Sequence, residues 1–255
     1  MKQLTILLFS LISLSINGFG NDHEHYQQLA LSGNEQYEAG NYDSARTLYA
    51  QVVNSNFASV NLYYNLGNTY FKLNQLAPSI YYLEKASKLA PFDKDIEFNL
   101  NMAKDQITDR IKDVPTPILQ QGWFKVRNLL SIDGWGILAT TAFALFILLI
   151  GYYLLSANVS LKKMAFFLSL GFFLLTAASL IFGFSAKNYV TSENQAVVFA
   201  GSLSVKAEPR ASSSDLFIVH EGTTVNVLEE VNDWVRLSLP DGNEGWAPLS
   251  ELKQF

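Results

Sequence analysis

Trp135–Leu155 and Ala165–Phe184 contain no charged residue, and only nine residues separate the two runs. A helix rises about 1.5 Å per residue, so each run spans roughly 30 Å, the hydrocarbon thickness of a bilayer. A soluble domain has no reason to place two such stretches back to back; the competing reading is a buried hairpin inside a large all-α core. The pattern predicts a membrane protein with a soluble domain on each flank. Function must then be read from the flanks.

The chain has 255 residues and a formal net charge of −5, a length that suits two small domains plus a hairpin better than one large core. Residues 22–112 carry 8 basic and 11 acidic side chains, and residues 196–255 carry 4 and 9. Neither flank has the basic stripe that a phosphate backbone requires, which argues against a nucleic-acid partner. There is no cysteine, so disulfides, thiolate metal sites and thiol nucleophiles are excluded; the compartment is not thereby identified.

Residues 1–20 read as an export signal. Lys2 is a short positive n-region, Leu4–Ile16 an apolar h-region, and Gly18-Phe19-Gly20 a small-x-small cleavage site. Alternation then puts residues 21–134 outside, the 156–164 loop inside and the C-terminal domain outside. Lys162 and Lys163 agree with the positive-inside rule, but Lys125, Arg127 and Lys187 flank the other end, so the export signal decides the orientation.

Gly33-Asn34 in LSGNEQYEAGNYDSARTLYAQVV recurs as Gly67-Asn68 in LGNTYFKLNQLAPSIYYLEKA, an offset of 34 residues. Small residues (Gly33, Ala45; Gly67, Ser79, Ala86) mark expected helix crossings, where backbones approach closely. Bulky ones (Tyr37, Tyr42, Tyr49; Tyr63, Leu66, Tyr70, Leu83) lie between them. Pro91 closes the second unit, Phe57 stands where the first would have its proline, and Asp95–Lys112 reads as a capping helix. These residues resemble the tetratricopeptide repeat. The resemblance implies that the first helix of each repeat lines a groove, with Asn34, Tyr37, Glu38, Tyr64, Asn68, Phe71 and Lys72 facing a bound segment; the alternative for Tyr37 and Phe71 is packing. Ala30 and Tyr64 stand where carboxylate-clamping repeats have lysine.

Val114-Pro115-Thr116-Pro117 should stop the capping helix. Trp123–Leu130 then combines aromatics and cations, as an interfacial helix or as a linker helix packed on the repeats. In the hairpin, Thr140, Thr141, Ser169, Thr176 and Ser179 can back-bond to their own helices, and no ionisable group lies at bilayer depth, which argues against an ion pathway.

From Ala196 the periodicity changes to two: AVVFA, LSVKA, TVNVLEEV, WVRLSL and GWAPL, broken at Pro209–Ser212, Glu221-Gly222 and Asp241-Gly242-Asn243. Five strands in a small closed barrel are expected. Glu221-Gly222 before a β run, Trp234 opening the next strand, and Asp241-Gly242 leading to Gly245-Trp246 resemble the bacterial SH3-like domain. The resemblance implies a surface for peptides or cell-wall material, with Trp234 and Trp246 as possible contacts and Trp234 the candidate; in a core this small, packing is the favoured reading for both, Trp246 above all. Asp241–Glu244 reads as a hairpin turn rather than a calcium loop.

Phosphate-cradling, nucleophile-elbow and HExxH motifs are absent from the sequence, and no catalytic set or cofactor is expected. His220 falls in the β module without an evident partner. Cleavage after Gly20 would make His23 the third residue, a planar Cu²⁺ or Ni²⁺ arrangement; a solvated tail is the favoured reading, and no metal site is expected.

The predicted organisation is therefore a multidomain membrane protein. It comprises a signal peptide (1–20), an all-α tetratricopeptide solenoid (21–112), a linker with an interfacial helix (113–134) and a transmembrane hairpin (135–155 and 165–184, joined by a cytoplasmic 156–164 loop). A linker (185–195) and a small all-β SH3-like barrel (196–255) complete it. This order resembles the Bat (aerotolerance) operon family. The resemblance implies a non-enzymatic component of the bacterial inner membrane with both soluble domains on the periplasmic side. It also implies von Willebrand A-domain proteins and a MoxR-type ATPase as partners, and a part in envelope maintenance or stress tolerance. A peptidoglycan sensor acting through the barrel is the alternative.

Overall fold

The computed structural model describes residues 23–55, 57–111 and 117–255. The expected signal peptide and the Val114–Thr116 helix stop lie outside these residues. Among the described residues, 23–111 with 193–255 form one compact unit and 117–192 another.

Five helices build the first part of unit one: α1 (23–38), α2 (Tyr42–Asn54), α3 (Val60–Lys72), α4 (Leu76–Leu89) and α5 (Lys94–Lys104). They pair as two hairpins and a cap, as the 34-residue repeat predicts. The small positions do what their size suggests. A Cβ on Gly33 would lie 2.6 Å from the Tyr49 ring, and one on Gly67 would lie 2.7 Å from Leu83. Ala45, Ser79 and Ala86 are fully buried. Side chains start the later helices: Ser59 accepts from the Leu62 amide, and Asp93 from Asp95 and Ile96. Phe57, in place of a proline, packs its ring on Tyr26 at 5.0 Å.

The cap departs from the expected Asp95–Lys112. α5 ends at Lys104, and 105–111 continue as a non-helical strap. Ile107 packs on the repeat core and Ile111 on the β core. Those two contacts, rather than helix propensity, decide the backbone.

Residues 193–255 form one antiparallel sheet of seven strands, not five: β1 (Gln195–Val198), β2 (Ser202–Lys206), β3 (Asp215–His220), β4 (Thr224–Val231), β5 (Trp234–Ser238), β6 (Glu244–Pro248) and β7 (Leu252–Gln254), in the order β3-β2-β6-β5-β4-β1-β7. All seven feed one core, including Val198, Val205, Val219, Val225, Leu237, Ala247 and Leu252, so the sheet wraps around itself. The unanticipated strands have weak signatures. β3 begins DLFIV, a continuous apolar run with a bulge against β2, and β7 has three residues after a short 3₁₀ turn. The turn at Asp241–Asn243 joins β5 to β6, with Gly242 at φ +92° and the Asn243 amide donating to Asp241.

In unit two, α7 (Ile132–Leu155) and α8 (Val159–Thr191) are antiparallel neighbours of 24 and 33 residues, each long and apolar enough to cross a membrane. Both outlast the uncharged runs. The connection is only 156–158, because Asn158 caps α8 through the Ser160 and Leu161 amides, so Val159–Met164 are helical rather than loop. Small side chains, Ala139, Ala142, Ala165, Ser169 and Ser179, are buried, while large apolar ones such as Leu148, Phe167 and Leu174 stay exposed. That is the arrangement of helices packed for lipid. Ser169, Thr176 and Ser179 donate to their own helix at 2.8 Å. A further helix, α6 (Ile118–Arg127), packs on α8: Trp123 donates to Ser185 at 3.2 Å, and the Arg127 guanidinium lies 3.8 Å over the Tyr189 ring.

Because Gly67 meets both the Leu83 side chain and its backbone nitrogen, Gly67→Val should destabilise the full chain by about 1–3 kcal/mol. Gly201→Ala, which meets open space, should not. Thermal melts followed by circular dichroism of both variants check this.

Candidate functional site

The first helices of the two hairpins, α1 and α3, and the cap α5 share one face, and hydrogen bonds spaced by the repeat stitch it together. Asn65 Nδ2 donates to Asn34 Oδ1 at 3.0 Å, and Asn99 Nδ2 donates to Asn68 Oδ1 at 3.0 Å. Asn65 and Asn99 are themselves 34 positions apart. Tyr49 also donates to Asn34 at 2.6 Å, and Asn99 to the Tyr64 hydroxyl at 2.7 Å. Burial pushes the Tyr49 phenol up to about 12, with Tyr37 adding to the shift, so its hydroxyl remains a donor at any ordinary pH.

The expected groove residues therefore divide. The amide oxygens of Asn34 and Asn68 hold neighbouring repeats together. Tyr37, Tyr64 and Phe71 are half-buried against the repeat core, and Tyr37 stands edge-on to Tyr42 at 5.3 Å. Glu38 and Lys72 are exposed at the end of the face. Missed by sequence reasoning are Leu31, Phe98 and Met102, which are 54%, 68% and 37% exposed. They occupy the repeat-equivalent positions of Asn65 and Asn99, of Tyr64, and of Asn34 and Asn68, so carrying the 34-residue offset into α5 would have found two of them. The face is a lattice of amides edged by uncovered apolar side chains.

On the opposite side of the repeats, α4 is already covered. β1 and the chain end lie on α4, and Val197 and Phe255 join the repeat core. Lys88, only 5% exposed, donates to the Phe255 carbonyl at 2.8 Å and stands 5.0 Å over its ring. Glu84 takes Lys104 at 2.6 Å and Thr224 at 3.4 Å, and Glu221 takes the Ala77 amide at 3.3 Å. Gly222 adopts φ +86°, and a Cβ there would lie 2.6 Å from Ile107. His220 has the partner that the sequence hid. Asp109, on the strap, accepts from the His220 amide at 2.6 Å and from Thr223 at 2.8 Å, and sits 2.8 Å from His220 Nδ1. Burial works against the Asp109 charge, but these bonds and the nearby imidazole outweigh it and hold the carboxyl below its ordinary value.

On the β module, ladder register sets which side chains face out. Val235↔Ala247 and Leu237↔Gly245 point inward, so Arg236↔Trp246 and Trp234↔Pro248 point outward. Lys206 pairs with Trp246 on the same side. Trp246 is thus not a core residue as expected; it and Trp234 are half-buried on the outer face. Among the described residues no group of His, Asp and Glu is placed to hold a metal ion.

The comparisons with known proteins agree with this division. Residues 201–253 match the bacterial SH3 domain family, 33–74 match a TPR repeat family, and 60–93 match a tetratricopeptide repeat family. No curated protein matches the chain. Both matched classes are interaction modules, and the structure joins one of each into a single packed body.

A lowered carboxyl contributes stability that is full above its unfolded value, near 4, and is lost as pH falls through the lower folded value. Asp109→Ala should lower stability at pH 7 by about 1–3 kcal/mol, since it strands the His220 and Thr223 donors. It should also flatten the loss seen below about pH 4; chemical denaturation of both chains across pH 2–7 tests this.

Proposed function

We propose that the protein is a non-enzymatic, membrane-anchored scaffold that holds a segment of a partner protein along the α1–α3–α5 face. The observation that carries this reading is the contrast between the two sides of the repeats: the β module covers α4, whereas Leu31, Phe98 and Met102 remain uncovered. Exposed apolar groups rimmed by polar ones mark interaction sites. Glu38 and Lys72 flank them and would set the register of the bound segment.

The wider assignment rests on the order of parts. Repeats, an aromatic helix, an apolar hairpin and an SH3-like module resemble BatE of the Bat aerotolerance family. On that reading the soluble unit lies on the periplasmic side of a bacterial inner membrane, after an export signal at residues 1–20. Its partners are von Willebrand A-domain proteins and a MoxR-type ATPase, in envelope maintenance or oxygen tolerance. A hairpin returns the chain to the side it left, which fits two flanks that share a core.

A second reading has its own observation. Trp234 and Trp246 share the outer face of the β module with Lys206 and Arg236, which are paired with Asp215 and Glu229, an aromatic and polar surface suited to peptidoglycan. Retention of the full chain on purified cell-wall material, lost in Trp234→Ala, would favour this reading over the scaffold.

For the scaffold, a photo-crosslinking amino acid at Phe98 should capture one membrane partner in intact cells, and Lys72→Glu should cut that capture roughly tenfold without altering the melting curve. Equal capture from position 102 of α5 and from exposed Asp241 of the β5–β6 turn would contradict the face assignment.

A further inference from the structure

At the end of the α7–α8 hairpin where the two helices connect, a cavity of about 550 Å³ is lined by Tyr153 of α7 and by Val159, Lys162, Lys163, Phe166 and Phe167 of α8. Two ammonium groups stand here within the first two turns of a helix, where the peptide dipoles are positive and cations are disfavoured. No acidic residue lies in that first turn, and among the described residues neither lysine forms an ion pair. The Asn158 cap already satisfies the first free amides, so those amides do not supply the anion's ligands. The lysines themselves remain. Lys162 is held 5.1 Å over the Tyr153 ring, a placement that orders its stem along the cavity wall.

The rest of the wall is apolar and open: Val159 and Phe167 are 67% and 68% exposed. Uncompensated positive charge beside an apolar, aromatic wall complements a ligand with an anionic head and a hydrocarbon body. A free phosphate would use the lysines and leave the phenyl rings idle. We propose that this end of the hairpin binds the headgroup of an anionic phospholipid, with Lys162 and Lys163 on the phosphate and Tyr153, Phe166 and Phe167 against the glycerol and proximal acyl chains. The inference rests on the hairpin spanning a bilayer but not on the scaffold reading.

Native mass spectrometry of the detergent-purified full chain, offered equal phosphatidylglycerol and phosphatidylcholine, tests it. One phosphatidylglycerol per chain should be retained with a preference of roughly tenfold or more. Lys162→Gln with Lys163→Gln should bring the two lipids to parity, and Lys162→Arg with Lys163→Arg should keep the preference. Equal retention of both lipids by the unaltered chain would overturn the proposal, as would an unchanged preference in the glutamine variant. Displacement of the bound lipid by millimolar inorganic phosphate would reassign the cavity to a free anion. Flotation with neutral vesicles separates the two premises: a chain that floats but shows no lipid preference keeps the membrane hairpin and loses this site.

Discussion

Everything in the larger unit depends on the burial of α4 from both sides. Ala77, Ile80, Tyr81, Tyr82, Leu83 and Ala86 are all buried, more of the circumference than a solenoid's outer helix covers with its own repeats. α3 and α5 take one flank and β1 with Phe255 the other. A helix apolar nearly all round must be covered all round, and here the cover comes from the far end of the chain. Two repeats and a short cap bury little surface by themselves. The β module supplies the missing layer.

That contact explains features that look unrelated when taken singly. Lys88 can be buried because Phe255 offers both a carbonyl and a ring face, which offsets the desolvation of an ammonium. The Glu221-Gly222 turn is constrained from without as well as within: Gly222 must hold a positive φ and also leave room for Ile107. The strap 105–111 abandons helix to carry Asp109 to His220 and Thr223. With α4 sealed, Leu31, Phe98 and Met102 on the α1–α3–α5 face stay exposed.

The local half of this picture was legible in the residues. The 34-residue offset located both hairpins and the glycines at their crossings, the uncharged runs located α7 and α8, and alternation found five of seven strands. What escaped notice depends on groups far apart in the chain. Asp109 and His220 are separated by 111 positions, Glu84 and Thr224 by 140, and Lys88 and Phe255 by 167. No periodicity encodes such pairs, which is why His220 read as unpartnered and Ile107 as one more helical position. Trp246 misled for another reason. Size argued for the core, but the pleat puts it on the same side as Arg236, and register outranks size in a sheet. On the candidate face, Asn34 and Asn68 stood out as repeat markers; the structure employs them between repeats and leaves Phe98, outside both full repeats, most exposed.

The most direct test of the shared core uses the absence of native cysteine. Cysteines placed at Glu84 and Thr224, whose side chains meet at 3.4 Å, can be bridged in intact membranes with a short bismaleimide. A protease site inserted between α7 and α8 then reports whether the halves remain joined. The account predicts that cleaved chains carrying both cysteines stay covalently linked, while either single cysteine lets them separate. Separation of the doubly substituted chain would contradict the packing of the β module on α4 and, with it, the shared core of the larger unit.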